Sequence, residues 1–110
     1  MIKNISSQLI SPGRVIRGQE AWEFGKAAIP LITKRPLILG RSKATESIRN
    51  QIIGDLKKLG LKPVTGTLDY GCCELDLAKI KSQVLKDKCD CIIAAGGGKV
   101  LDAGKLIAYR

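Results

Sequence analysis

Apolar positions along the chain change period several times, and each change marks a boundary. Leu9-Ile10-Ser11-Pro12-Gly13-Arg14-Val15-Ile16-Arg17-Gly18 reads as two short extended pieces around a Pro-Gly turn. Gln19 to Leu31 follows with helical spacing through Trp22, Ala27, Ala28 and Leu31, and Pro30 ends it. Pro36-Leu37-Ile38-Leu39 is an uninterrupted apolar run stopped at Gly40, the pattern of a strand covered on both faces. Lys43 to Leu59 then predicts a long helix whose inward stripe is Ile48, Ile52, Leu56 and Leu59, with Gly60 as its stop.

Pro63-Val64-Thr65-Gly66-Thr67-Leu68 predicts a weaker strand, placed by its Pro and Gly at an edge or an early position. Glu74 to Lys86 predicts a helix with Leu77, Ile80 and Val84 inward, opened by Glu74 and Asp76 where acids favour the helix dipole. Cys91-Ile92-Ile93-Ala94-Ala95 predicts a buried strand, broken by Gly96-Gly97-Gly98. Lys99 to Ala108 carries Val100, Ala103, Gly104 and Ile107 on one stripe. Strand and helix alternate three times with short connections. The expected fold is α/β, a Rossmann-like parallel sheet flanked by helices, with a short N-terminal hairpin. Residues 1–110 form one domain, with no internal repeat or linker.

Composition narrows the function classes. Apolar residues make up 45% of the 110 residues and charged residues 26%, an ordinary globular balance. No apolar run approaches the roughly 20 residues of a membrane helix. The first residues lack a signal-peptide layout, so a cytoplasmic protein with no membrane partner is expected. The formal net charge is +9, which favours an anionic partner. The basic residues are scattered and only four residues are aromatic. A nucleic-acid-binding module, which would interleave the two kinds, is therefore the weaker alternative. The run Lys79, Lys81, Lys86 and Lys88 reads as a solvated helix face, and Trp22 and Phe24 as packing residues. Cys72-Cys73 and Cys89-Asp90-Cys91 fall at opposite ends of a parallel layer, so they read as packing thiols rather than as a zinc site.

The segment richest in chemistry joins the last strand to the last helix. Gly96, Gly97 and Gly98 let the backbone approach a ligand closely. The amides opening the next helix, with its dipole, favour an anion, above all a phosphate. Lys99 adds a cation in the first turn, and Asp102 offers a carboxylate to backbone amides or a ribose hydroxyl. The spacing is neither a GxGxxG fingerprint nor a Walker A loop. A second candidate follows the first long strand: Gly40 leaves room, Arg41 and Lys43 offer charge, and Ser42 a hydroxyl. No carboxylate occurs there until Glu46. That set suits a ribose 2′-phosphate, so the expected cofactor is NADP. If the loop is plain polar surface, with Ser42 merely opening a helix, NAD is the alternative.

Gly96-Gly97-Gly98-Lys99-Val100-Leu101-Asp102-Ala103-Gly104-Lys105 resembles the GGGKxxDxxK segment of the glycerol dehydrogenase branch of the iron-containing alcohol dehydrogenases. Ser11 to Gly18 resembles that branch's N-terminal hairpin, so the likeness covers nearly the whole chain. Dehydroquinate synthases carry a similar triplet, usually with another residue where Lys99 stands. Glycerol-1-phosphate dehydrogenases share the fold and stay open as a relative. The resemblance implies an N-terminal nucleotide-binding domain of a two-domain NAD(P)-dependent enzyme that oxidises a small alcohol or polyol by hydride transfer. It implies a helical C-terminal domain, absent here, whose Asp and His ligands hold zinc or iron as a Lewis acid. This chain has no histidine, so it supplies neither catalytic nor metal-binding residues. The partners expected are a nicotinamide dinucleotide, the alcohol substrate of the parent enzyme and, for assembly, other copies in a homo-oligomer. The alternative is a truncated, non-catalytic nucleotide-binding fragment.

Overall fold

A computed structural model describes residues 20–109; the expected hairpin at residues 9–18 lies outside them. The described elements begin with helix α1 (Ala21–Gly25), which runs straight into a 3-10 helix, Lys26–Leu31. Strand β1 (Pro36–Gly40) leads through a 3-10 turn, Lys43–Thr45, into α2 (Glu46–Lys58). Then come β2 (Val64–Thr67), α3 (Glu74–Asp87), β3 (Cys91–Ala94) and α4 (Gly98–Tyr109). No described helix is long and apolar enough to cross a membrane.

The three strands form one parallel sheet in the order β2-β1-β3. β1 is central because it is apolar on both sides. Leu37 and Leu39 face a core shared with Leu77 and Ile80 of α3 and with Val100, Ala103 and Ile107 of α4. Ile38 faces the opposite core, with Ile52 and Leu56 of α2 and Leu61. The result is three layers, with α2 on one face of the sheet and α3 and α4 on the other. At Gly104, α4 comes close to β3: a Cβ added there would lie 2.9 Å from the Ala94 Cβ. A glycine lets the helix seat against the strand.

Most expected elements are present, with four differences. The first helix is α-helical only to Gly25, because Pro30 lacks an amide and crowds the preceding turn. Its packing residues are Trp22 and Ile29, while Leu31 and Phe24 are 84% and 68% exposed. The inward stripe of α2 is Arg49, Ile52 and Leu56, so Ile48 lies 53% exposed. Strand β3 is half-buried rather than buried, since it has a single strand neighbour among the described residues. Asp76 does not idle on the helix surface: it is buried, and its Oδ2 accepts from the amides of Tyr70 and Gly71.

Two polar contacts fix the ends of this frame. The Trp22 indole donates to Asp55 at 2.7 Å, tying α1 to α2. At the N-terminal edge of the sheet, Asp90 accepts from the Thr33 hydroxyl and from the amides of Lys34 and Arg35. The Asp90 amide in turn donates to the Arg35 carbonyl, so the entries to β1 and β3 are stitched together.

These bonds favour the ionised carboxylates. Asp90 is held below the usual carboxylate range chiefly by the Thr33 hydroxyl and then by the backbone amides. Asp76 is held low by the Gly71 amide first, against the opposing effect of burial. Both groups therefore stabilise the fold above an ordinary aspartate pKa of about 4. That contribution disappears as pH falls through their lowered folded values. Denaturant melts from pH 7 downward should show stability falling below about pH 4, and Asp90→Asn should make the fall shallower. An acid limb unchanged in Asp90→Asn would show that Asp90 does not contribute to it.

Candidate functional site

The strand order creates a cleft. From β1 the chain crosses over α2 to one side of the sheet; from β2 it crosses over α3 to the other side of β1. The loops leaving β1 and β3 therefore diverge at their C-terminal ends, where open α/β sheets bind ligands. A cleft of about 230 Å³ opens between them, lined by Arg41, Ser42 and Thr45 from the β1 side and by Gly96, Gly97, Gly98, Lys99 and Val100 from the β3 side. It is smaller than the roughly 300–1,000 Å³ that buries a whole small ligand, and its scale suits one charged portion of a longer molecule.

The β3 side is a helix opening. The Gly97 carbonyl accepts the first bonds of α4, from Val100 and Leu101. The amides of Gly98 and Lys99 come earlier in the first turn, where helical amides have no intrahelical acceptor. The triplet's glycines differ in purpose. A Cβ at Gly96 would press on Val100 at 2.9 Å, so packing alone accounts for that glycine. A Cβ at Gly97 or Gly98 would meet nothing within 4 Å, and neither residue has a positive φ. The fold itself does not require glycine at either position. Bare backbone facing an open cleft is what close approach by a phosphate needs.

The β1 side is held by its own short turn. Ser42 caps the 3-10 turn, its Oγ accepting from the Ala44 amide at 3.1 Å, so the hydroxyl proton remains available to donate. Arg41 is exposed on the cleft lip. Nearby, the turn after β2 supports the β3 side: Asp76 fixes Tyr70 and Gly71, and a Cβ at Gly71 would lie 3.1 Å from the Lys99 side-chain stem.

Six of the nine residues singled out from the sequence converge here: Arg41, Ser42, Gly96, Gly97, Gly98 and Lys99. Three do not line the cleft. Gly40 is buried, and a Cβ there would fall on the Arg49 guanidinium, so the room it leaves belongs to that side chain and not to a ligand. Lys43 sits on the 3-10 turn, exposed and off the cleft. Asp102 is exposed further along α4, beyond the lining residues. Sequence reasoning missed Thr45, Val100 as a cleft residue, and Arg49 beneath it. An arginine at an inward helical position was the available signal. The cysteines lie elsewhere: Cys73 precedes α3, Cys91 opens β3, and all four are unpaired. Burial pushes the Cys89 and Cys91 thiols up.

Comparison with known proteins agrees with this geometry. The sequence matches the family model described as iron-containing alcohol dehydrogenase over residues 12–110. Among solved structures, a glycerol dehydrogenase from Schizosaccharomyces pombe shares the fold, with a TM-score of 0.72 at 21% identity. The match covers 90% of this chain and 27% of that one, so the chain spans about a quarter of that protein's length. No curated protein matches the sequence.

Because a Cβ at Gly97 or Gly98 has space, Gly97→Ala and Gly98→Ala should leave the thermal midpoint unchanged or slightly raised. Each should weaken binding of ADP, measured by calorimetry, by about tenfold, equivalent to ~1.4 kcal/mol. Unchanged ADP affinity in both variants would remove the glycine lip from the binding site.

Proposed function

The chain belongs to the iron-containing alcohol dehydrogenase family, and from that premise we propose that it is the dinucleotide-binding part of an alcohol or polyol dehydrogenase of the glycerol dehydrogenase type. One observation carries this: the cleft at the β1/β3 divergence is walled by Gly97 and Gly98, which the fold does not need as glycines. Such a lip fits a pyrophosphate. The amides of Gly98 and Lys99 would take its oxygens, with the Lys99 ammonium as a counter-charge. Arg41 and Ser42, across the cleft, would meet the adenosine ribose. The nicotinamide cofactor supplies the acceptor for hydride from the substrate alcohol. The residues here bind and orient it.

Zinc or iron would be the metal of the parent enzyme. The residues of this chain do not fit it: the sequence has no histidine, and no three His, Cys, Asp or Glu side chains converge among the described residues. Its ligands would lie in protein outside these 110 residues. The four unpaired cysteines suit a cytoplasmic setting. We expect the 110-residue chain to bind ADP or a nicotinamide dinucleotide yet not to oxidise glycerol or simple alcohols. Turnover by the purified chain, followed as NAD(P)H absorbance, would contradict that division of labour.

The β1 lip points to NADP over NAD. No carboxylate is among the described residues lining the cleft, so no anionic group there binds ribose hydroxyls or repels a 2′-phosphate, and Arg41 offers a charge-assisted bond. Such bonds contribute about 1.5–3 kcal/mol, with exposure favouring the low end. Arg41→Ala should therefore weaken NADP about tenfold and NAD much less in titration calorimetry. Equal affinity for both cofactors in the wild type, together with no effect of Arg41→Ala, would return the assignment to NAD.

A further inference from the structure

Arg49 is the only basic side chain buried among the described residues, at 8% exposure. No described carboxylate lies within ion-pairing distance of it. A buried guanidinium without a counter-charge is costly to the fold, so its seat calls for a reason. All its hydrogen bonds go to neutral acceptors, and those acceptors belong to both sides of the cleft. Nη2 donates to the Ser42 carbonyl at 2.9 Å. Nη1 donates to the Thr45 hydroxyl and, at 3.4 Å, to the carbonyl of Ala95, the residue before the glycine triplet. Gly40 makes room for the guanidinium, since any Cβ there would occupy the same space.

We propose that Arg49 is the positioning residue of this site: it fastens the Ser42–Thr45 lip to the Ala95–Gly96 lip, and its unneutralised charge makes the cleft select a diphosphate group. The inference rests on the cleft being the nucleotide site and adds what holds the two lips together. The missing counter-charge is then the ligand itself. Neutralisation by a bound diphosphate would offset part of the cost of burying the guanidinium, so binding and the rigidity of the lips rise together. Arg41 and Lys99 are exposed cations that salt screens readily. Arg49 acts from a site where screening is weak.

The test is titration of the 110-residue chain with ADP at several salt concentrations, with folding followed by circular dichroism. Arg49→Met should lose at least tenfold in ADP affinity, and the loss should persist at high salt, where the exposed cations are screened. Arg49→Lys restores the charge but not the bonds to both lips, so it should fall between Arg49→Met and the wild type. Gly40→Ala leaves every charge in place and evicts the guanidinium; it should weaken ADP binding, and should add nothing in an Arg49→Met background. A merely structural role would lower the melting midpoint in these variants but leave the ADP affinity of the folded protein unchanged at low and at high salt. If Arg49→Met does not fold, Arg49→Lys decides, and wild-type affinity in that variant overturns the inference. Wild-type ADP affinity in folded Arg49→Met, at low and at high salt, would also overturn it, leaving the nucleotide assignment intact. A wild-type chain that binds no ADP would instead overturn that assignment and this inference with it.

Discussion

The handedness of a parallel crossover is the constraint on which the rest of this molecule depends. A β-strand, helix, β-strand unit closes right-handed almost without exception. A chain that places consecutive strands on opposite sides of its first strand must therefore put their helices on opposite faces. Strand β1 takes both faces, with Leu37 and Leu39 directed to one core and Ile38 to the other. Once the order β2-β1-β3 is set, the loops after β1 and β3 run to opposite faces and leave a gap. The cleft is thus a geometric result of topology, and the side chains decide only what it holds.

Legibility in the sequence follows the same division. Features governed by local periodicity were readable: the apolar run of β1, the stripe of α4 through Val100, Ala103, Gly104 and Ile107, and the stop of α2 at Gly60, which has a φ of 87°. Features governed by tertiary contact were not. Ile48 and Leu59 promise burial by spacing, yet α2 is rotated so that Arg49 faces inward, because the ends of β1 and β3 offer carbonyls for its guanidinium. Gly40 looks like a cleft glycine until Arg49 is seen to need its space. Asp76 looks like a helix-opening acid until the turn at Tyr70 and Gly71 supplies two amides. These three misses turn on Arg49 and Asp76, polar groups whose partners are distant in sequence or hidden in loop backbone, which no period encodes.

Charge shows a similar layering. The formal charge of +9 is mostly solvated. Lys79 reaches Asp69 and the Thr67 carbonyl, and Lys26 lies near Glu23 and Asp55. Contacts of this exposed kind contribute little. What concerns the cleft is a small subset: Arg41 and Lys99 at its lips, and Arg49 beneath.

The staple between α1 and α2 also has an optical side. Trp22 is the sole tryptophan of the chain, and its indole is bonded to Asp55 beside the α2 core. Its emission therefore reports on one face of the sheet, the face whose helix carries Arg49. The α3–α4 core lies on the other face of the sheet and contributes to circular dichroism without packing against the indole's cluster. Fluorescence and dichroism melts thus sample different layers, and any separation between their midpoints would measure how far the two faces of this sheet unfold independently.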